Sequence, residues 1–376
     1  MSDIHLITGG TGFVGTGIIL ELLRQTTAEI ICIVRPGTES VDTRLHKAVI
    51  KAGQLYGYDP TLLATVQERC RAVPGDVTSE LCGVRPQTLP RPTQFWHCAA
   101  SLRYEDRYEA EIFQINTQGT RNVIELARRI GVDRAFNYMS TAYVAGKRTG
   151  IIHEELSETH LANNHYERSK VRAEHIVADV TDFRTRIFRP SIVIGHSQTY
   201  AVASGFSGGY GFMRKLLQFK GAMSRIREGL LKEETIRMHI ELDTLLNLIP
   251  VDFVAQQAVS ISDSSSSATI FHLTNATPPL CIDVASSIFQ VLDLRPPLFT
   301  TTKEEFSWID KKLDQGITFY QSYFINSKQF DRSHSDTVLG HSDSRAYDLN
   351  TEKLCTFYQW YLDLLTAQRP RLIATR

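Results

Sequence analysis

A glycine-rich turn between an apolar strand and an amphipathic helix constrains this chain more than any other feature of its sequence. Residues 4–7 are mostly apolar, residues 8–15 carry four glycines, and isoleucines and leucines follow at helical spacing. Glycine suits such a turn because it adopts positive φ angles and lets a pyrophosphate reach the N–H groups at a helix start. The order predicts the opening of a dinucleotide-binding fold. Gly10, Gly12 and Gly15 fit the spacing G-x-G-x-x-G, and Gly9, Gly12 and Gly15 fit the spacing G-x-x-G-x-x-G.

Strands and helices alternate through the first half of the chain. Apolar strand patterns occur at residues 29–34, 71–76, 94–98, 135–140 and 185–188. A long helix is predicted over residues 108–130 and ends at Gly131. A second helix begins after Asn164, with Glu167 in the capping-box position. This alternation predicts the α/β class, as a Rossmann-type doubly wound parallel sheet.

The pattern changes after about residue 195, and we expect a smaller, mainly helical C-terminal substrate domain. Residues 1–200 form the predicted NADP-binding Rossmann domain, and residues from about 240 to 276 return to it. Residues 201–239 and 277–376 form the predicted substrate-binding cap. Its aromatic residues are interpreted first as a self-packing core and second as the lining of a ligand site. They are Trp308, Phe319, Tyr320, Tyr323, Phe324, Tyr358, Trp360 and Tyr361.

Composition excludes several functional classes. Lys and Arg number 41, and so do Asp and Glu, so net charge favours neither nucleic acid nor an anionic membrane. No apolar run approaches the ~18 residues of a membrane span, and a strand so near the N-terminus leads us to expect no signal peptide. The six scattered cysteines favour a reducing, cytoplasmic location. The spacing of His and Cys predicts no metal site.

The reactive groups must be found apart from the cofactor motif, because a fold alone names no reaction. Tyr166 and Lys170 lie four residues apart on a predicted helix and project from one face. The ammonium is expected to lower the tyrosine pKa from its usual value and so allow proton transfer near neutral pH. A second Tyr-x-x-x-Lys pair, Tyr143 and Lys147, contains Gly146 and is not expected to be helical.

Two further polar residues complete the predicted catalytic set. Thr141 follows the fifth strand, at the end where parallel sheets bind ligands, and its hydroxyl can donate to a substrate carbonyl oxygen. The alternative role for Thr141 is a turn cap. Asn116 lies within a helix, where asparagine is unfavourable, so it either faces solvent or holds a water or backbone group beneath the site.

The residue that follows the second strand favours NADPH over NADH. NAD-specific folds usually place an acid there, whereas this chain has Arg35, with Arg44 nearby. A guanidinium suits a 2′-phosphate, although a solvated arginine is the alternative. Asp76 is placed to contact adenine, and Ala99 and Ala100 leave room for the dinucleotide.

These motifs together resemble the extended short-chain dehydrogenase/reductases, and most closely their thioester reductases and fatty acyl-CoA reductases. The resemblance covers residues 4 to about 195, with a weaker echo at 249–252, and little beyond residue 200 is recognisable. It rests on residues 8–15, 75–77, 97–100, 116–120, 140–144, 166–170 and 189–191. It implies that Thr141, Tyr166 and Lys170 are catalytic, with Asn116 in support. The cofactor residues it implies are Thr8, Gly9, Gly12, Phe13, Val14, Gly15, Arg35, Arg44, Asp76, Val77, Ala99, Ala100, Tyr166, Lys170, Pro190 and Ser191.

The resemblance implies reduction of an acyl thioester by NADPH, through a hemithioacetal, to thiol and aldehyde. A second hydride would give the alcohol. The acyl group would be carried as a thioester by coenzyme A or by an acyl or peptidyl carrier protein. The basic helix predicted at residues 212–229 is a candidate docking surface for either carrier. The alternative is that its charges form an ordinary solvated helix face. The alternatives are another extended reductase or epimerase that acts on a nucleotide sugar, sterol or small carbonyl compound, and a non-catalytic dinucleotide sensor.

Overall fold

The structure, a computed structural model, describes residues 3–205, 208–340 and 346–368. Its strands are β1 (Ile4–Thr8), β2 (Glu29–Val34), β3 (Cys70–Pro74), β4 (Gln94–His97), β5 (Ala135–Met139), β6 (Gly150–Ile152), β7 (Thr185–Pro190), β8 (Ile192–Ile194), β9 (Arg237–His239), β10 (Leu248–Pro250), β11 (Ile270–Leu273), β12 (Leu298–Thr300) and β13 (Lys328–Phe330). Its helices are α1 (Phe13–Gln25), α2 (Val41–Tyr56), α3 (Pro60–Ala64), α4 (Val66–Arg69), α5 (Glu109–Phe113), α6 (Gly119–Ile130), α7 (His165–Ala178), α8 (Gly209–Ile226), α9 (Leu230–Glu233), α10 (Val251–Ser262), α11 (Cys281–Val291), α12 (Trp308–Gly316), α13 (Gln321–Ile325), α14 (Ser333–Leu339) and α15 (Thr351–Gln368).

Seven parallel strands form the central sheet in the order β11-β7-β5-β4-β1-β2-β3. Strand β1 pairs with β2 on one side and with β4 on the other, so Thr8 lies opposite Ile33 and His97. The chain order reverses at this point, and open α/β sheets bind ligands in the crevice that such a reversal creates. The predicted doubly wound parallel sheet is confirmed.

Helices cover both faces of the sheet, which explains why its strands are apolar along their length. All five residues of β5 are buried, and so are the last four of β1. One apolar core lies between the sheet and α1, α2 and α10, and a second lies between the sheet and α6 and α7. The last strand of the sheet, β11, pairs with β7 at its edge, although it lies far from β7 in the sequence.

The long helix predicted over residues 108–130 is interrupted in its middle. A π-helical turn, Gln114–Gln118, separates α5 from α6. Gly131, with a φ of +73°, ends α6 as the sequence indicated. The prediction of one regular helix was wrong at the turn, where the buried Asn116 side chain hydrogen-bonds to another segment of backbone. Such turns are rare and occur often at functional sites.

A third apolar core gathers residues from α8, α11, α13 and α15 and from the loops between them. Tyr210, Tyr358 and Tyr361 pack there with their ring centroids 5.1 to 6.1 Å apart. Of the three two-stranded parallel ribbons, β10–β8, β12–β9 and β13–β6, the last joins this part to the segment that follows β5. Helix α10 instead packs on α1, where a Cβ at Gly17 would lie 3.2 Å from Val251. The division into two domains at residues 200, 240 and 276 stays a prediction.

Candidate active site

The predicted glycine turn joins β1 to α1 and leaves no room for a side chain at two of its positions. Gly9 has a φ of +76°, and a Cβ there would lie 2.5 Å from the backbone nitrogen of Ala99. A Cβ at Gly15 would lie 2.1 Å from the carbonyl oxygen of Gly9. Gly12 donates its N–H to the same oxygen at 2.9 Å. Of the two glycine spacings, the structure therefore favours the one that begins at Gly9.

The start of α1 faces a long cleft. Gly12 caps the helix without a side chain, and the first turn of α1 contains no acidic residue. The first N–H groups of a helix carry partial positive charge and bind phosphates. The cleft wall here consists of Gly9, Gly12, Phe13, Val14 and Gly15. The pyrophosphate of a dinucleotide fits this cradle, whose backbone would have to shift to accept a Cβ at Gly9 or Gly15.

The other predicted cofactor residues of the main sheet divide between the cleft wall and the core behind it. The cleft wall includes Ala100, Pro190 and Ser191. Thr8 is fully buried, and its Oγ1 lies 2.7 Å from Nδ1 of His97. The N–H of Ala99 lies 3.5 Å from that same hydroxyl oxygen. Thr8 and Ala99 therefore hold the end of β4 beside β1. Ser191 lines the cleft, and its buried hydroxyl has no hydrogen-bond partner among the described residues.

Arg35, Arg44 and Asp76 lie together in a second, polar pocket at the ends of β2 and β3. Arg35 is exposed, and the half-buried Arg44 donates a hydrogen bond to the carbonyl oxygen of Arg35. Asp76 accepts hydrogen bonds from the N–H and the hydroxyl of Thr78, each at 2.9 Å, which fixes its carboxylate. Val77 is buried in the core behind this pocket. Two guanidinium groups in one pocket can bind a phosphate dianion.

Thr141, Tyr166 and Lys170 line the same cleft, although they come from two different elements. Thr141 lies two residues beyond the end of β5, and its hydroxyl oxygen accepts the N–H of Tyr143 at 3.2 Å. The hydroxyl proton of Thr141 is then available to a ligand. Tyr166 and Lys170 lie one turn apart on α7, as their spacing predicted. The three side chains can therefore act on one bound group.

The pKa values of the tyrosine and the lysine move in opposite directions. Burial lowers the pKa of Lys170 to about 8, and its Nζ donates hydrogen bonds to Tyr138 and to the Met139 carbonyl oxygen. Burial and the nearby charge of Glu167 raise the pKa of Tyr166 above its usual range. The expected lowering of the Tyr166 pKa by Lys170 is not found, because burial and Glu167 raise it. Tyr166 therefore keeps its proton at neutral pH.

The second Tyr-x-x-x-Lys pair is not helical, as the sequence indicated. Tyr143 lies in a 3₁₀ turn, Ala142–Ala145, which ends at Gly146 with a φ of +58°. Lys147 is exposed. Tyr143 nevertheless lines the cleft, because its turn begins directly after Thr141 at the end of β5. The pair is therefore broken, although one member reaches the site.

Asn116 lies behind the cleft in the π-helical turn. Its Oδ1 accepts the N–H of Ser101 at 2.7 Å, and its Nδ2 donates to the Ser101 carbonyl oxygen at 3.0 Å and to Ser169 Oγ at 2.9 Å. The sequence left two roles open for Asn116, and the structure favours the one in which it holds a backbone group. Because Ser169 lies between Tyr166 and Lys170, Asn116 ties their helix to the segment that follows β4.

The start of α7 is fixed by a variant of the predicted capping box. Asn164 caps the helix and accepts the N–H of Glu167 at 2.9 Å. The carboxylate of Glu167 returns to the N–H of Asn163, at 2.7 Å, instead of that of Asn164. It also accepts the hydroxyl proton of Tyr323 at 2.9 Å, and burial raises its pKa. A cleft residue from the C-terminal part is thereby bound beside Tyr166.

An aromatic wall forms the far side of the cleft. Tyr104 stacks on Phe319 with ring centroids 3.6 Å apart and an angle of 21° between their planes. The other aromatic residues of this wall are Phe212, Tyr320, Tyr323 and Phe324. Helix α11 adds the smaller residues Cys281, Val284 and Ala285. Tyr320 and Phe324 also belong to the third apolar core, and Phe319 and Tyr323 pack against it, so these aromatic residues form both the core and the lining that the sequence offered as alternatives.

The basic segment at residues 212–229 is mainly helical, in α8, but part of its charge is used internally. Arg214 donates to the hydroxyl of Tyr361 at 3.0 Å, and Lys220 donates to the backbone of residue 292. Arg227 pairs with Glu233 at 2.8 Å. Lys215 and Arg225 are exposed. The segment therefore presents fewer free cations than its sequence suggests.

Within residues 3–205, 208–340 and 346–368, no helix combines the length and apolar character needed to cross a membrane. The same residues contain no group of three or more histidines, cysteines and acids that could hold a metal ion. All six cysteines are free. The cytoplasmic location stays a prediction.

Comparison with known proteins gives one family and several distant relatives. Residues 7–258 match the NAD-binding family described as male sterility protein. An aldehyde reductase of Aspergillus flavus is 26% identical over 304 residues, which are 75% of this chain and 26% of that protein. A probable fatty acyl-CoA reductase of Arabidopsis thaliana is 26% identical over 165 residues, which are 40% of this chain and 33% of that protein. The chain thus spans a third or less of these relatives.

A solved structure supports the fold over almost the whole chain. The terminal R domain from the myxalamid PKS-NRPS biosynthetic pathway superposes with a TM-score of 0.73, over 98% of this chain and 91% of that one. The two sequences are 23% identical, so this likeness concerns the fold alone.

Proposed function

This chain belongs to the male sterility protein family and is an NAD(P)-dependent oxidoreductase, and on that premise we propose that it reduces an apolar acyl thioester to an aldehyde with NADPH. The observation that carries this proposal is the meeting of Thr141, Tyr166 and Lys170 in a cleft that continues into an apolar wall. Among the described lining residues, Lys170 alone has a charged side chain. A charged acyl group would lose hydration against the apolar wall without gaining an oppositely charged partner there.

When NADPH is bound, the hydride for the thioester carbonyl carbon would come from its nicotinamide. The hydroxyls of Tyr166 and Thr141 then donate hydrogen bonds to the carbonyl oxygen, where negative charge develops. Tyr166 gives its proton to that oxygen, which its raised pKa makes possible at neutral pH. The resulting hemithioacetal loses its thiol when the carbon–sulfur bond breaks, and the aldehyde remains.

Lys170 is proposed to bind the nicotinamide ribose rather than to react. Its ammonium is buried, and its pKa of about 8 means that most of it is charged at neutral pH. An ammonium can donate three hydrogen bonds, and two are made to Tyr138 and Met139. The third is available to a ribose hydroxyl. Asn116 supports the site from behind, by joining the segment after β4 to the helix that carries Tyr166 and Lys170.

The preference for NADPH is proposed on the polar pocket of Arg35 and Arg44. The 2′-phosphate of NADPH would lie between these two side chains, and adenine would lie beside Asp76. The one other acid of the pocket, Glu39, forms an ion pair with Lys47, so its charge is already balanced. These contacts distinguish the two cofactors, because NADH has only a hydroxyl at that position.

We further propose the division of labour that the sequence predicted. Residues 1–200 and 240–276 would bind the cofactor, and residues 201–239 and 277–376 would form a cap that binds the acyl group. The support is that α10 and β11 pack with the central sheet, while α8, α11 and α15 share a separate apolar core. The thioester would be carried by coenzyme A or a carrier protein, and the exposed cations Lys215 and Arg225 of α8 are the candidate docking surface.

Tyr166→Phe and Tyr143→Phe form a matched test, because both tyrosines line the cleft. Loss of the Tyr166 hydroxyl should reduce kcat for an acyl thioester by about 10²–10⁴-fold, the usual contribution of general acid catalysis, while NADPH binding stays unchanged. Tyr143→Phe should keep most of the activity. Full activity of Tyr166→Phe together with an inactive Tyr143→Phe would show that the proton donor is misassigned.

A further inference from the structure

Lys170 is held from behind by a tyrosine that takes no part in the proposed chemistry. The lysine Nζ donates to the Tyr138 hydroxyl at 3.2 Å and to the Met139 carbonyl oxygen at 2.8 Å. Tyr138 is fully buried in β5, and the ammonium also lies 4.7 Å from the centre of its ring. Tyr138 is therefore the side chain that accepts a hydrogen bond from the buried ammonium.

A threonine behind Tyr138 fixes the direction of the hydrogen bonds. The Thr120 hydroxyl donates its single proton to the Asn116 carbonyl oxygen at 2.6 Å, because a carbonyl can only accept. Thr120 must then accept from its other neighbours: Nε2 of His97 lies 3.1 Å away. The Tyr138 hydroxyl also interacts with Thr120, and because the Thr120 proton is already committed, we infer that Tyr138 is the donor of that pair. Burial lowers the pKa of His97 to about 3, so the ring is neutral and carries its one proton on Nε2. Its Nδ1 accepts the hydroxyl proton of Thr8 at 2.7 Å.

We propose that Tyr138, oriented by Thr120, is a positioning residue that keeps Lys170 protonated and aimed into the cleft. The hydrogen bonds run in one direction, from Lys170 through Tyr138 and Thr120 to the Asn116 carbonyl oxygen. In this order the Tyr138 hydroxyl donates its proton to Thr120, so its oxygen lone pairs accept the hydrogen bond from the Lys170 ammonium. The inference rests on the proposed function only in assigning the cofactor ribose to Lys170.

The surroundings of Lys170 make its charge measurable. Six titratable or charged groups face it or its immediate partners: His97, Cys98, Tyr138, Tyr166, Glu174 and Arg189. Burial places the pKa of Cys98 at about 12 and raises those of both tyrosines, so these groups stay neutral from pH 6 to 10. Glu174 and Arg189 are bound to each other in a fully buried ion pair at 2.6 Å. Lys170, with a pKa of about 8, titrates within that interval.

The test is the pH dependence of NADPH binding, measured by fluorescence titration from pH 6 to 10. In the unaltered protein, affinity should fall as pH rises through about 8, because Lys170 loses the proton it donates to the ribose. Tyr138→Phe removes one of the two acceptors, so the midpoint of this fall should move down by roughly one pH unit. Thr120→Val, which removes only the orienting hydroxyl, should move it the same way by less. Tyr56→Phe, which removes a buried hydroxyl bonded to Ala203, is the control and should leave the midpoint unchanged.

Unchanged midpoints in both variants, or NADPH binding without pH dependence in the unaltered protein, would overturn the proposal. Equal weakening at every pH would also overturn it, since a purely structural role would do that. Thr120→Val provides the answer if Tyr138→Phe does not fold, which thermal unfolding would reveal. No thioester is present in the titration, so failure to reduce thioesters would count against the proposed function and leave this inference standing.

Discussion

Replacement of Arg35 by alanine should weaken the binding of NADPH and leave that of NADH nearly unchanged. Arg35 directly follows β2, and its side chain is exposed at the polar pocket. A hydrogen bond to a charged group contributes about 1.5–3 kcal/mol, and exposure to solvent favours the lower end of that range. Because about 1.4 kcal/mol corresponds to a tenfold change in Kd, the Kd for NADPH should rise roughly tenfold.

Arg44 supplies the second cation and a matched comparison. It is half-buried, and it also holds the Arg35 backbone in place, so Arg44→Ala should cost at least as much as Arg35→Ala. The double variant should bind NADPH on the order of 10² times more weakly. Lys51→Ala changes an exposed cation of the same helix, α2, and should have no effect on either cofactor.

Fluorescence titrations of the unaltered protein and the four variants with NADPH and NADH, at low and high salt, provide the measurement. The difference between the cofactors should shrink as salt screens the exposed guanidinium. Equal losses of NADPH and NADH in Arg35→Ala would refute the reasoning, because that result would make Arg35 a structural residue.

Three further outcomes are expected. Ala285→Leu, on the cleft face of α11, should raise the KM for long-chain acyl thioesters by roughly fourfold for each methylene it excludes, at about 0.8 kcal/mol each, and should leave the KM for an acetyl thioester unchanged. Gln290→Ala, on the exposed side of α11, is the control, and equal effects on both chain lengths would count against the acyl assignment. Asn116→Ala should lower stability by about 1–3 kcal/mol in denaturant unfolding, since buried backbone groups lose their partners, and should also lower kcat; an unchanged midpoint would contradict its structural role. Replacement of Arg214 and Lys215 by glutamate should raise the KM for a carrier-bound or coenzyme A thioester in a salt-sensitive way and hardly affect the KM for a short thioester without phosphate. Lys215 should account for most of this effect, because Arg214 is already bonded to Tyr361 in the core. An equal response of both substrates would contradict the proposed docking surface.

The features that the sequence predicted are local ones. The glycine turn depends on φ and Cβ clearance at Gly9 and Gly15, and the sequence shows both glycines directly. Tyr166 and Lys170 share a helical face because of their spacing alone. Even the break in the second pair follows from Gly146, whose Cβ would lie 2.1 Å from a carbonyl oxygen of residue 161.

The features that the sequence did not predict depend on contacts between distant segments. Tyr138 accepts from Lys170 across 32 residues, and Tyr104 stacks on Phe319 across more than 200. The pKa of Tyr166 is raised, against expectation, by burial, which no local pattern reveals, and by the nearby charge of Glu167. The sequence could not show that the aromatic residues both fill a core and line the cleft, since the two roles have the same composition.

The central claim, reduction of an apolar acyl thioester by NADPH, is tested most directly by identifying the products. The protein would be incubated with NADPH and a series of acyl thioesters, on coenzyme A and on a carrier protein, beside nucleotide-sugar and ketone panels. Aldehyde, free thiol and oxidised cofactor should appear in equal amounts with a long apolar acyl group, or alcohol with two cofactors oxidised for each thiol. Turnover of a nucleotide sugar or a ketone, without release of thiol from any thioester, would contradict the account.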